Sequence, residues 1–211
     1  MRIVVCGTGF VGSALVREFT ARGHEVTAVS RRLKTSIPEG VTQSAGSVHD
    51  PAFLEEVAVG ADVLVSALPA IADGGGLDTG VAALLRRAGQ TGARLGVVGG
   101  SAVLPLFEGG PRQVDTPGFP AWLLPRVEVH ARTLGVLDAA PEGIDWFCLV
   151  PAADFGPHRP GVRTGSYRTS ATAQVTDEQG HSMLGVEDYA IAFADEIDTP
   201  RIRRAWLAVG Y

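Results

Sequence analysis

A glycine-rich turn within the first dozen residues constrains this chain more than any other feature. Arg2 to Cys6 is an apolar, β-branched run that reads as a buried strand. Gly7-Thr8-Gly9-Phe10-Val11-Gly12 follows and spells G-x-G-x-x-G. Ser13 to Arg22 then carries a helical pattern, with Val11, Leu15 and Phe19 on one face. Strand, glycine turn and helix in that order make a dinucleotide-binding fingerprint. Gly7 permits a tight turn, Gly9 lets backbone approach a pyrophosphate, and Gly12 lets the helix pack closely on the strand. The unpaired amides and the dipole at the helix start favour an anion, so Gly7, Thr8, Gly9, Phe10 and Val11 are expected to hold a cofactor.

Alternation of strand-like and helical segments sets the fold class. Glu25–Ser30, Val41–Ala45, Asp62–Ala67, Arg94–Gly99 and Ile144–Val150 read as further strands. Between them, a helix starts at Asp50-Pro51, another spans Leu77–Ala88, and a third spans Ala121–Ala140 with a kink or restart at Pro125. This order predicts an α/β chain with a doubly wound parallel sheet, the Rossmann arrangement. Residues 101–118, rich in Gly and Pro, are expected to loop over the site. Residues 152–211 depart from the alternation: a strand pair (Tyr167–Thr176 with Ser182–Leu184, joined at Asp177–Gly180), a helix Val186–Ile197 and a last strand Arg203–Val209. That small C-terminal segment is expected to cover the substrate end of one domain, 1–211.

Composition narrows the partners. With 45% apolar and 19% charged residues, 211 residues can build one large core. A net charge of −5 gives no electrostatic support for nucleic-acid binding. The two cysteines, Cys6 and Cys148, fall in buried strands and form neither a disulfide framework nor a metal spacing; no metal is expected. The first strand begins at residue 2 without a preceding signal, and no apolar run reaches the roughly 18 residues of a membrane span, so a cytoplasmic location away from membranes is expected. The sequence leaves a homo-oligomer open.

The end of the second strand indicates which dinucleotide binds. An NAD-preferring unit places a carboxylate there, about 20 residues past the glycines, to hold the ribose hydroxyls. Here the segment is Ser30-Arg31-Arg32. Guanidinium forks at Arg31 and Arg32 suit a 2′-phosphate, which points to NADP (NADPH).

Together these pieces resemble the atypical short-chain dehydrogenase/reductases with an NAD(P)H-binding domain, in particular the NADH-flavin reductase-like or NmrA-like group. The matching segments are Gly9-Phe10-Val11-Gly12-Ser13, Arg22-Gly23-His24-Glu25-Val26, Ser66-Ala67, Val97-Val98-Gly99-Gly100, Asp115-Thr116-Pro117, Arg163-Thr164-Gly165, Tyr167-Arg168 and Val186-Glu187-Asp188-Tyr189-Ala190. The turn, Cys6-Gly7-Thr8-Gly9, is one residue shorter than the family's usual Gly-Ala-Thr-Gly-x-x-Gly. Ser47 stands where the family often has an aspartate, and Val103 where it sometimes has a serine.

Ordinary short-chain dehydrogenases move a proton with Tyr-x-x-x-Lys. This chain has one lysine, Lys34, preceded four residues earlier by Ser30, so that pair is absent. Hydride transfer to a flavin or quinone demands less, because the cofactor carries the hydride and the protein stacks the acceptor and excludes water. The expectation is an NADPH-dependent reductase for a small planar organic acceptor, FMN or FAD included. The alternatives are an NADP-binding redox sensor or interaction module without turnover, and a biosynthetic isomerase or lyase on the same scaffold. At the carboxyl ends of the strands, Ala67-Leu68-Pro69, Gly99 and Pro151 are expected to flank the nicotinamide. Ser101 is the candidate to hydrogen-bond it or an acceptor carbonyl, and Trp122, Phe155 and Tyr167 are candidates for an aromatic wall. His158 is a candidate proton donor and Asp154 a loop anchor. His24, His49 and His181 read as turn residues, and His130 as a residue on a solvated helix face.

Overall fold

The apolar runs become the strands of one eight-stranded sheet in the order β3-β2-β1-β4-β5-β6-β8-β7. The computed structural model describes all 211 residues. It places β1 at Arg2–Cys6, β2 at Glu25–Ser30, β3 at Thr42–Ala45 and β4 at Val63–Ser66. β5 spans Arg94–Val98, β6 Trp146–Pro151, β7 Arg168–Ser170 and β8 Ala205–Gly210. Every neighbouring pair is parallel except β7 with β8. Helices α1 (Phe10–Ala21) and α5 (Val186–Asp198) cover one face; α2 (Pro51–Val57), α3 (Leu77–Thr91) and α4 (Leu124–Asp138) cover the other. The doubly wound parallel sheet expected from the sequence is therefore the architecture.

Period-two alternation explains how unbroken apolar runs fill two cores. Ile3 and Val5 of β1 pack with Leu15 and Phe19 of α1, whereas Val4 and Cys6 face Leu64, Val81 and Leu84 in the opposite layer. β6 divides likewise, with Phe147 and Leu149 towards Tyr189 and Phe193 of α5, and Trp146, Cys148 and Val150 towards the α3/α4 side. Both cysteines are free and buried, and burial pushes each thiol up to about 12, so they act as small apolar groups.

Local chemistry sets the helix ends. Asp50 caps α2, its carboxylate accepting from the amides of Ala52 (3.0 Å) and Phe53 (3.3 Å). Gly92 closes α3 at φ 77°, where its amide donates to the Ala88 carbonyl at 2.8 Å. Pro125 restarts rather than kinks its helix: a single 3-10 turn, Ala121–Leu123, precedes α4, and Pro125 lies in the first α-turn, where a missing N–H is harmless. No helix is long and apolar enough to cross a membrane.

The C-terminal part corrects one expectation. Tyr167–Thr176 and Ser182–Leu184 do not pair with each other. Arg168–Ser170 instead takes the open edge of β8, and Met183 bridges Asp154, whose amide donates to the Ser182 carbonyl at 2.9 Å. The Asp177–Gly180 turn forms, but the segments it joins find other backbone partners. Residues 152–211 supply two strands and a helix to the fold.

Asp188 fastens this segment. It is fully buried in the first turn of α5. Its carboxylate accepts from the amides of Thr164 (3.0 Å) and Gly165 (2.8 Å), from the Thr164 hydroxyl (2.8 Å) and from the Tyr211 hydroxyl (2.5 Å). Burial alone would raise its pKa, but these donors outweigh it and hold the carboxyl below the ordinary value. The segments Arg163-Thr164-Gly165 and Val186–Ala190 are therefore two halves of one clamp.

Replacing Asp188 by Asn turns an acceptor into a donor facing donors. Asp188→Asn is expected to lower stability at neutral pH by about 1–3 kcal/mol, measured by urea unfolding. A carboxylate with a depressed pKa stabilises above its unfolded value of about 4 and loses that contribution as the pH falls below it. The gap between parent and variant should therefore narrow in acid; a gap independent of pH would contradict the clamp.

Candidate functional site

The strand order reverses between β1 and β4, which opens a crevice at their carboxyl ends. The glycine turn fills its floor, and each glycine is there for a different reason. Gly7 adopts φ +105°, and a Cβ on it would lie 2.4 Å from the Ala67 carbonyl oxygen. A Cβ on Gly12 would lie 1.8 Å from the Gly7 carbonyl oxygen, so α1 could not seat on the turn. Gly9 differs: a Cβ there would meet no protein atom within 4 Å, and its backbone is extended. Nothing in the chain requires glycine at position 9, whereas close approach by a ligand would.

Around Gly9 the polar groups are incompletely paired. It is the N-cap of α1 and supplies no side-chain cap, so the first-turn amides are left for another partner. Thr8 is buried, and its hydroxyl has no hydrogen-bond partner. The Thr8 carbonyl is fully used, accepting from the Ser13 hydroxyl at 2.9 Å and from the Lys34 ammonium. An anion over the turn would meet helix amides, an orphan hydroxyl and a nearby cation; these groups fit the pyrophosphate of a dinucleotide. The only sequence signal for Lys34 is that the chain's one lysine lies three residues beyond Arg31.

At the end of β2, the Ser30 hydroxyl donates to the Arg32 carbonyl at 2.6 Å and shapes the bend. Arg31 and Arg32 are exposed. Arg31 makes one long contact, Nη1 to the Asp73 carbonyl at 3.5 Å, which reaches across to the loop after β4.

Over the other half of the sheet, the expected segments stand side by side. The Ala67 amide donates to the Cys6 carbonyl at 2.9 Å, extending the ladder past β4. Leu68 lies against Gly80, where a Cβ would come within 2.4 Å of it, and Pro69 follows. The Gly99 amide donates to the Leu149 carbonyl at 2.8 Å, and Pro151 ends β6 opposite Val209. The Ser101 carbonyl accepts from the Leu104 amide (2.9 Å) and from Gln174 Nε2 (3.0 Å), while its hydroxyl makes no hydrogen bond within the chain. Gln174 also donates to Gln113 Oε1 at 3.0 Å and so anchors the 101–118 loop. No local pattern announces Gln174, because its partners lie 61 and 73 residues away.

The structure does not bring the three candidate wall aromatics together. Phe155 packs edge-on to Phe10 (5.9 Å between centroids) and against Tyr189 (5.2 Å), beside the glycine turn. Trp122 is 72% exposed, in the 3-10 turn before α4. The Tyr167 hydroxyl donates to Asp195 at 2.6 Å, and Asp195 pairs with Arg22 past the end of α1, towards the opposite edge of the sheet. Burial and that carboxylate push Tyr167 up to about 12. Tyr189 donates to the Leu149 carbonyl at 2.8 Å and Tyr211 to Asp188, so every tyrosine hydroxyl has a structural partner.

Among the histidines, His158 Nε2 lies 2.9 Å from Asp154 Oδ1 in an exposed cluster with Arg159, and His181 pairs with Asp177 in the turn. His130 overturns an expectation. It does not lie on a solvated face; its ring lies over Gly100, and burial lowers its pKa to about 4. The reason is that Gly100 presents no side chain, so α4 can press its ring onto the end of β5.

The division of labour among the glycines is testable. Gly9→Ala is expected to cost about 1 kcal/mol of stability or less, yet to weaken NADP+ binding by about tenfold or more in calorimetry, because a methyl group would occupy the phosphate's approach. Gly12→Ala should instead destabilise the fold by about 3 kcal/mol or more. A Gly9→Ala protein that binds NADP+ like the parent would contradict the assignment.

Comparison with known proteins agrees with this geometry. The family model described as NAD(P)H-binding matches residues 7–179. The chain is 32% identical over 206 residues to YwnB of Bacillus subtilis (strain 168), itself uncharacterised, covering 95% of this chain and 93% of that one. A crystal structure from Bacteroides thetaiotaomicron, provisionally named an epimerase, superposes with a TM-score of 0.88 at 35% identity, over 100% of this chain and 96% of the other. One from Streptococcus pneumoniae TIGR4, provisionally named an NADH-flavin reductase, gives 0.84 at 26% identity, over 99% and 98%. The two names imply different chemistries on one scaffold, so they do not decide the reaction. The chain belongs to the NAD(P)H-binding family of Rossmann proteins.

Proposed function

We propose that the protein is an NADPH-dependent reductase that passes a hydride to a flavin, quinone or similar planar acceptor. The observation that carries this reading is the open floor at Gly9, with the free first-turn amides of α1 and the orphan Thr8 hydroxyl around it. The choice of NADPH over NADH rests on Ser30-Arg31-Arg32, which offers two exposed guanidinium groups and no carboxylate.

Bound there, the reduced nicotinamide would supply the hydride. Phe10, Val11 and their neighbours in the turn would hold the pyrophosphate through backbone amides, and Arg31 would take the 2′-phosphate. Ala67, Leu68 and Pro69 would line one side of the ring site, and Gly99 and Pro151 the other. The loop 101–118, fixed by Gln174, would limit the access of water. No tyrosine is available as a proton donor, which suits an acceptor that takes its proton from solvent. The same observation favours a second reading, an NADP-binding sensor that binds without turnover.

NADPH oxidation measured with FMN, FAD and quinones separates the two readings. Turnover above background with at least one acceptor is expected; tight binding with no turnover would favour the sensor. Arg31→Ala should weaken NADPH by about 10- to 100-fold, with NADH changed by less than about threefold. Equal losses for both nucleotides would contradict the phosphate assignment.

A further inference from the structure

Gly100 has no backbone need to be glycine, because its φ of −134° and ψ of 132° suit any residue. What excludes a side chain is His130. A Cβ on Gly100 would lie 2.6 Å from Cδ2 and 2.8 Å from Nε2 of that ring. The imidazole therefore lies flat on the backbone immediately before Ser101, at the carboxyl end of β5. In the doubly wound fold this is the half of the sheet that receives the second mononucleotide, here the nicotinamide.

Neither ring nitrogen of the half-buried His130 makes a hydrogen bond within the chain, and desolvation is the sole cause of its lowered pKa. A poorly solvated polar group without a partner carries a free-energy penalty that a ligand can relieve. The four other histidines lie away from Gly100: His158 and His181 face carboxylates, His49 fills the space above Gly75, and His24 packs on Phe19 with Nε2 2.9 Å from Asp198 Oδ1. The Ser101 hydroxyl, one residue from the stacked backbone, is also without a partner in the chain.

We propose that His130, as a neutral imidazole, donates a hydrogen bond to a carbonyl or ring-nitrogen atom of the acceptor, alongside Ser101, and so orients acceptors that carry such an atom. This rests on the reductase reading above and assigns that site its acceptor-binding donor. The acceptor gains two electrons and one proton as hydride and takes its second proton from solvent. His130 gives up no proton, and its role is to steady the negative charge that develops on the acceptor, as a neutral imidazole can.

Two variants and one spectroscopic measurement test this. His130→Phe keeps a flat ring over Gly100 but removes both nitrogens; His130→Gln keeps a donor. With NADPH and a quinone or FMN, His130→Phe is expected to lower kcat by about 100-fold, with the NADPH Kd unchanged within about twofold and part of the loss recovered in His130→Gln. Independently of turnover, long-range 15N–1H NMR of the parent–NADP+ complex should show the His130 nitrogen shifts move when oxidised quinone or FMN is added. A folded His130→Phe protein with kcat within about threefold of the parent, or nitrogen shifts that ignore the acceptor, would overturn the proposal. If His130→Phe does not fold, His130→Gln and the NMR shifts decide in its place. A parent that oxidises no NADPH, yet whose His130 shifts move with acceptor, would sink the reductase reading and leave this contact standing.

Discussion

The contact between the first turn of α1 and the ends of β1 and β4 governs the rest of the molecule. Gly12 sits on the Gly7 carbonyl and Gly7 on the Ala67 carbonyl, with no room for a methyl group at either. That closeness does two things at once. It sets α1 against the sheet so that Leu15 and Phe19 reach the core beside Ile3 and Val5. It also aims the uncapped amides of the helix into the crevice, where a helix terminus attracts an anion. Packing and binding are thus the same piece of backbone geometry.

Polar groups in this chain fall into two populations. Those that hold the scaffold are densely paired. Asp188 gathers donors from Thr164, Gly165 and Tyr211. Glu18, buried on α1, takes Arg22 at 2.9 Å and Arg163 at 2.7 Å, and Arg22 continues to Asp195 and Asp198 on α5. Arg94 stacks over Phe147 while donating to Glu196 and to the Ile202 carbonyl. Groups along the carboxyl edge contrast with these: the hydroxyls of Thr8 and Ser101 and the ring of His130 have no such partners. The orphan Thr8 hydroxyl lies beside the uncapped amides of α1, which leaves that end of the crevice free to pair with a ligand.

Much of this was legible in the residues. The glycine turn and the period-two apolar runs depend only on neighbours in sequence, so β1, β2, the start of α2 at Asp50 and the wound sheet could be read directly. The absence of a carboxylate after β2 is equally local. What escaped depends on distant neighbours. The partner of Arg168–Ser170 is whichever strand edge remains open, and only the complete sheet decides that. Gln174 anchors a loop more than sixty residues away. His130 reads as a solvated helix residue because nothing in its own segment shows that Gly100, just past β5, leaves a seat for its ring. Tyr167, an aromatic near the expected site by order in the chain, is drawn to the other edge by Asp195.

A crystal structure of the protein with NADP+ tests the central claim most directly. The account predicts pyrophosphate oxygens about 2.7–3.2 Å from first-turn amides of α1, lying over Gly9. A dinucleotide bound elsewhere, or an empty crevice at saturating NADP+, would contradict it.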